Sequence, residues 1–227
     1  MTTPTSDPLL PLLAAAFAAR ADLLADLHAE HTDAYRLFHG TVEGRSGLTV
    51  DRYGDLLLVQ SFHQPLAQEA LATLEGYYAG VLPGLTLIYN DRSRAHSRIL
   101  NELPPERLAA ATLPREAHEM GICYRLQARH EGQDPWLFLD LRAGRRYVMR
   151  HARDKSLLNL FAYTCGVGIA AGRAGARFVM NVDFSESALA VRRANAKLND
   201  LPFRPRFVKS DAFAALRQLA GIGQPER

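Results

Sequence analysis

The chain has 227 residues, 48% hydrophobic and 22% charged, with 16 Gly and 12 Pro. That composition excludes disordered, collagen-like and coiled-coil classes and leaves room for one large domain or two small ones with a real core. The net charge of +3 is uneven: residues 1–115 carry 9 basic and 13 acidic side chains and residues 116–227 carry 18 and 11, so a net of +7 in the second half points to a polyanionic partner there.

Residues 1–8 read as a short disordered lead. The longest apolar stretch, Leu9 to Ala19, is 11 residues long and contains Pro11, too short to span a membrane. Asp7, not a cation, precedes it, which argues against a secretion signal, and the pattern runs on through Leu23, Leu24 and Leu27 as an amphipathic helix over 9–31. Thr32-Asp33 ends it. Strands follow at 35–40, 47–55 and 56–62, with Tyr53-Gly54-Asp55 a hairpin signal. A helix over 65–80, a strand over Leu85–Asn90 and a short helix over Ser93–Leu100 complete a small α+β domain of residues 1–115. Pro104-Pro105 and Pro114 bracket an expected linker.

Residues 116–227 change character. Ile122–Ala128 and Trp136–Leu139 read as strands, and Leu141–Arg153 as an Arg-rich helix. Leu157–Phe161 is an apolar run expected to be a buried parallel strand. A helix (Ile169–Ala174), a strand (Phe178–Val182), a helix (Ser185–Leu198, with Ser185 as N-cap), a strand (Arg206–Lys209) and a helix (Asp211–Leu219) follow. Strands alternating with helices imply a parallel sheet, an α/β class. Two cysteines, Cys123 and Cys165, are too few for a disulfide framework and suit a reducing, cytoplasmic setting.

The most informative segment is Asn159-Leu160-Phe161-Ala162-Tyr163-Thr164-Cys165-Gly166-Val167-Gly168, an apolar strand entering a small-residue turn. Gly166 and Gly168 would let a ligand approach the backbone at a helix N-terminus. Asp183 lies 17 residues after Gly166, at the end of the next strand, where a carboxylate can accept ribose hydroxyls. Ser210-Asp211 ends the third strand, and its carboxylate can meet an adenine amino group. The glycine pattern lacks the third glycine of a dinucleotide fingerprint, and no triphosphate-binding loop is present. S-adenosylmethionine fits better. Each residue has a plainer reading: the glycines as a strand-to-helix turn, Asp183 and Asp211 as helix caps, Cys165 as a small turn residue rather than a nucleophile, and Cys123 as core.

Several ordered stretches resemble the bacterial class I SAM-dependent large-subunit rRNA methyltransferases of the 5-methylcytosine type. They are Arg36–Gly40 with Gly47–Asp55; Gly132-Gln133 with Leu137–Arg142 and Arg145-Arg146; Asn159–Thr164; Val182–Ser185; Arg193–Asn199; and Ser210–Phe213. The resemblance covers about residues 10–219. It implies a Rossmann-like methyltransferase domain with about its first three parallel strands, preceded by the small α+β domain. It implies S-adenosylmethionine as cofactor, bound by Phe161, Tyr163, Thr164, Gly166, Gly168, Asp183, Ser185 and Asp211, with Asp140, Arg142 and Arg146 at the edge. The reaction implied is methyl transfer to C5 of a cytosine in rRNA, which uses a cysteine thiolate on C6 and an unstacked base.

The chain departs from that pattern. Members of the family commonly start with a small RNA-binding PUA domain, and none is expected in these residues. Cys165-Gly166 stands where Gly-Gly is usual, and Gln133-Asp134-Pro135-Trp136 where Gln-Lys-Thr-Gly is usual. The Asp-Pro-Pro segment and the later Ser/Thr-Cys nucleophile are not found before Arg227, so a truncated protein or fragment is expected and the catalytic residues are left unassigned. A cofactor- or RNA-binding module without activity, or a methyltransferase for another substrate, are the alternatives. Arg142, Arg146, Arg150 and Arg153 share a predicted helix face, read either as RNA-binding or as plain solvated surface. A sheet cut after its third strand would leave an uncovered apolar edge, so pairing in a homodimer is a further expectation.

Overall fold

The computed structural model describes residues 9–94, 98–130, 134–185, 188–201 and 205–222; the lead expected over 1–8 lies outside them. Apolar residues at helical spacing (Leu9, Leu13, Ala16, Leu24, Leu27) are buried by two helices, α1 (Leu9–Ala18) and α2 (Ala21–Ala29), not by the single helix expected. The break falls at Arg20, which continuous helix would carry into that apolar stripe. Outside it, the guanidinium bonds the Ala16 carbonyl and pairs with Glu43.

Four strands follow: β1 (Ala34–Phe38), β2 (Leu48–Tyr53), β3 (Leu56–Ser61) and, after helix α3 (Gln68–Val81), β4 (Thr86–Asp91). They form one sheet in the order β1-β2-β3-β4, antiparallel except for the parallel β3–β4 pair that α3 connects. Tyr53 pairs with Leu56 across the expected hairpin. Gly54 there has φ +59°, and a Cβ would sit 2.4 Å from the Glu116 carbonyl oxygen, so only glycine fits. Leu13, Leu24, Leu37, Val59 and Leu74 centre the core on one sheet face. Arg36 and the buried Asp51, cross-strand partners, form a bidentate pair at 2.7 and 2.9 Å.

Three expectations fail here. The described part of 93–100 is not helical; residues 95–97 lie outside the description. Asn101 ties this stretch down instead, accepting from the Asp91 amide and donating to the Tyr89 carbonyl. The expected linker contains helix α4 (Pro105–Thr112), because proline is at home in a helix's first turn, where no intrahelical N–H bond is lost. Trp136–Leu139 is not a strand: Trp136 is left-handed (φ +72°), and the Trp136 and Phe138 carbonyls are taken by the Thr164 hydroxyl and the Arg145 guanidinium rather than by a neighbouring strand.

After α4 come β5 (Arg115–Glu119) and β6 (Ile122–Leu126), a two-stranded sheet. The described residues fall into two compact units, one up to residue 121 together with those of 126–135, the other residues 122–125 together with those from 136 on; the sequence alone suggests a division after residue 115. In the second unit a 3-10 turn (Leu139–Leu141) leads into α5 (Arg142–His151); then β7 (Ser156–Leu160), α6 (Gly166–Arg173), β8 (Phe178–Asp183), α7 (Ala188–Leu198), β9 (Arg206–Lys209) and α8 (Ala212–Leu219) alternate. The three strands are parallel, in the order β7-β8-β9. Side chains alternate across β8: Val179 packs with Ala171 and Ala152 on one face, while Met180 and Val182 pack with Ala215 on the other. β8 is therefore the buried strand. β7, expected to be buried, pairs only with β8 among the described residues, and Leu158 is 41% exposed. No helix among the described residues is long and apolar enough to cross a membrane.

Candidate functional site

Parallel strands place their carboxyl ends on one edge, and three loops meet there. The first runs from β7 to α6. Phe161, Tyr163 and Cys165 all adopt left-handed backbone angles (φ +52°, +47° and +64°), rare for residues with side chains. The loop is held from several sides. The Ala162 amide donates to the Val182 carbonyl at 3.0 Å and the Cys165 amide to the Ala162 carbonyl at 2.6 Å. The Thr164 hydroxyl donates to the Trp136 carbonyl at 2.6 Å, and Asn195 donates to the Thr164 carbonyl at 3.2 Å.

Asp183 ends β8 and joins the loops. One carboxylate oxygen accepts the Tyr163 amide at 2.7 Å and the other accepts the Ser185 amide at 2.8 Å; its own carbonyl accepts the Ser210 amide at 3.1 Å. The residue is 8% exposed. Each oxygen retains a lone-pair direction beyond the amide it binds, so the carboxylate can still accept hydroxyl donors. Ser185 stands beside it; the two residues after Ser185 lie outside the description, and α7 is seen from Ala188. Asp211 caps α8, one oxygen accepting the Phe213 and Ala214 amides at 2.9 and 3.1 Å. Phe161 and Phe184, each just beyond a strand end, and Phe213, in the first turn of α8, are exposed. An edge with a buried carboxylate and three uncovered aromatic rings fits an adenosine-bearing cofactor.

The two glycines serve different ends. At Gly166 a Cβ would meet Arg145 and Tyr124 at 3.8 Å, ordinary contact, so there is room at that point. At Gly168 a Cβ would lie 2.1 Å from Asn181 Oδ1. The space expected for a ligand at Gly168 is filled by the protein's own buried side chain. Thr164 is likewise buried with its hydroxyl and carbonyl both engaged, which makes it a support of the loop rather than a wall of the site. Cys165 is fully buried, and that burial pushes its thiol up to about 12, Arg192 opposing and Asp183 adding, which disfavours the thiolate. Cys123 is half-buried in β6 with its amide and carbonyl bonded to Asn199.

Asp140 is exposed in the 3-10 turn, and Arg142, half-buried, opens α5. Arg146 is half-buried and Arg150 exposed; Arg153 lies in the turn beyond His151, so it leaves the helical spacing expected of it. Arg145 turns inward, nearly fully buried, bonding the Phe138 carbonyl at 2.8 Å with its guanidinium 5.9 Å from the Tyr124 ring.

A sequence model of the S-adenosylmethionine-dependent methyltransferases matches residues 35–225. The chain belongs to this family. Ribosomal RNA large subunit methyltransferase I of Shigella flexneri is 32% identical over 209 residues, 85% of this chain and 49% of that protein. The chain thus spans about half the length of the curated relatives it matches. Among solved structures, SMU.776, described as a methyltransferase complexed with SAH, has a TM-score of 0.76 at 24% identity, covering 94% of this chain and 54% of that one. A SAM-dependent methyltransferase from Agrobacterium tumefaciens has a TM-score of 0.57 at 19% identity, covering 85% and 57%. The Rossmann-like α/β class expected from the sequence is the fold these structures share with it.

Sequence reasoning gave no role to the polar residues that hold the loops of this edge in shape. Asn195 on α7 and Asn199, the residue that follows its last turn, bond the β6 backbone: Asn195 accepts the Arg125 amide at 2.7 Å, and Asn199 accepts the Cys123 amide at 2.9 Å and donates to the Cys123 carbonyl at 2.7 Å. Their i, i+4 spacing at the end of a predicted helix was the available signal. Arg192, 1% exposed, bonds the Ser185 carbonyl, and its Nε and Nη1 have no hydrogen-bond partner among the described residues. Nothing in the sequence separates it from its exposed neighbour Arg193.

Proposed function

We propose that this chain binds S-adenosylmethionine at the carboxyl edge of β7-β8-β9 and serves methyl transfer to C5 of a cytosine in large-subunit rRNA. The observation that carries the cofactor reading is the Asp183 carboxylate, buried, fixed by two backbone amides and open to further donors. In this reading Asp183 takes the ribose hydroxyls with Ser185 beside it. Phe161, Tyr163 and Gly166 border the methionine end, the free oxygen of Asp211 meets the adenine amino group, and Asp140 and Arg142 stand at the rim. Thr164 and Gly168 hold the loop and α6 in place. When bound, S-adenosylmethionine supplies an electrophilic methyl group on a sulfonium.

The names of the relatives at about 32% identity support the rRNA substrate, and the +7 charge of residues 116–227 agrees with it. The Arg142, Arg146, Arg150 and Arg153 group is the proposed phosphate-contacting surface. A second reading, cofactor and RNA binding without turnover, is favoured by Cys165, whose burial opposes the thiolate that attack on C6 requires, so cytosine chemistry would need a different cysteine. Titration calorimetry with S-adenosylmethionine tests the cofactor site; Asp183→Ala is expected to weaken binding at least tenfold, and unchanged binding would remove the assignment. Incubation with methyl-labelled cofactor and rRNA, followed by nucleoside analysis, separates the two readings: label in 5-methylcytidine supports transfer, and none supports binding alone.

A further inference from the structure

One exposed feature of α5 is not used by the cofactor site. Tyr147 is 63% exposed, and its ring stacks on His151, one turn later, with centroids 4.2 Å apart and planes at 28°. The pair is pinned, since His151 Nδ1 lies 2.8 Å from the Tyr147 carbonyl oxygen. Helical side chains lean toward the N-terminus, so His151 covers one side of the Tyr147 ring, and the other side looks back along the helix toward Ala143 and Gly144. A Cβ at Gly144 would have no atom within 4 Å, so that approach is open. Arg146 precedes Tyr147 in the chain, and Arg150, exposed, follows one turn on. An ordered aromatic face, open on one side and flanked by guanidinium groups, has the makings of a single-stranded nucleic-acid site, where bases stack on rings and cations track phosphates.

We propose that the Tyr147–His151 pair is a stacking platform for an unpaired RNA base, with Arg146 and Arg150 on the adjoining phosphates. This rests on the RNA reading above and adds a named base-contacting group to it. A pre-stacked pair loses little freedom on binding, which favours it over an isolated flexible ring.

The test measures binding of the 227-residue chain to a uridylate dodecamer, to the same length of abasic ribose-phosphate, and to a dodecamer carrying one 2-aminopurine, across a salt series. Tyr147→Ala is expected to weaken uridylate binding about tenfold with the salt slope unchanged and abasic binding unaffected, while Tyr147→Phe keeps wild-type affinity. Arg150→Glu is expected to weaken both oligomers and to lower the salt slope by about 0.7 for each phosphate that is no longer neutralised. Quenching of 2-aminopurine by the wild-type chain reads stacking without any variant. If Tyr147→Ala binds like wild type, or quenching is absent, while Arg150→Glu still weakens binding, the platform is wrong and the basic surface stands. If no variant changes binding, or the wild-type chain does not bind, both readings fall.

Discussion

Gly168→Ala is expected to destabilise the second unit by about 2 kcal/mol, although alanine is the better helix former. A Cβ at position 168 would lie 2.1 Å from Oδ1, 2.9 Å from Cγ and 3.0 Å from Nδ2 of Asn181, which is fully buried in β8. Either α6 lifts from the sheet or Asn181 turns away. Turning away breaks its 2.9 Å bond from Asn159, and a buried polar group left short of a partner costs about 1–3 kcal/mol. Overpacking alone costs about 1–3 kcal/mol. Removing a helical glycine returns at most about 1 kcal/mol. Urea unfolding followed by the fluorescence of Trp136, the single tryptophan, reads the difference. Asn181→Ala removes all three clashing atoms, so Gly168→Ala in that background is expected to be neutral or stabilising. Equal cost in both backgrounds, or wild-type stability for Gly168→Ala with cofactor binding lost, would refute the packing argument and restore a ligand-contact role for this glycine.

Thiol reagents at pH 8 are expected to label Cys123 and to spare Cys165 until the chain unfolds; labelling of both at equal rates would contradict the burial of Cys165. Because the folded Cys165 thiol is raised from 9.0 to about 12, its contribution is full below pH 9 and is lost as pH rises toward 12; Cys165→Ala should flatten that part of an alkaline stability profile. Asn199→Ala leaves the Cys123 amide and carbonyl without their side-chain partner, and Asn195→Ala does the same for the Arg125 amide. Each is expected to cost about 1–3 kcal/mol and to speed amide exchange at Cys123 and Arg125 respectively, with other β6 amides as the control.

The parallel strands and their helices were legible because apolar runs of four to six residues end in chemically distinct turns, and Asp183 and Asp211 were legible as acids at successive strand ends. What the alternation of apolar and polar residues does not encode is the partner of a backbone group. Trp136–Leu139 has strand-like composition, yet its carbonyls bond a hydroxyl and a guanidinium from later in the chain, so no strand forms. Arg20 carries the charge that breaks an otherwise regular apolar stripe, but the break becomes visible only with Glu43, 23 residues on, as its partner. Gly168 illustrates the same limit at the site: a glycine after a strand looks like room for a ligand, and only the fold reveals that Asn181 occupies the room.

The β7–α6 loop explains why those hidden partners matter to function. Three left-handed residues with side chains cost about 1–2 kcal/mol each, about 3–6 kcal/mol in all, and the loop persists because its surroundings oppose relaxation. Asp183 takes the Tyr163 amide, Val182 the Ala162 amide, Ala162 the Cys165 amide, Trp136 the Thr164 hydroxyl, and Asn195 reaches the Thr164 carbonyl. Five bonds at about 0.5–1.5 kcal/mol each offset that strain within a few kcal/mol. Four of the anchors come from β8, α7 and the segment before α5, so the sheet and helices together shape the loop. A carboxylate proposed to bind ribose is thus also the group that shapes the loop beside it. Asp183→Asn keeps one of the two oxygen acceptors and removes the charge, so it should hold one of the Tyr163 and Ser185 amides where Asp183→Ala holds neither, with amide exchange at the two residues reading the shape and cofactor affinity reading the loss of charge.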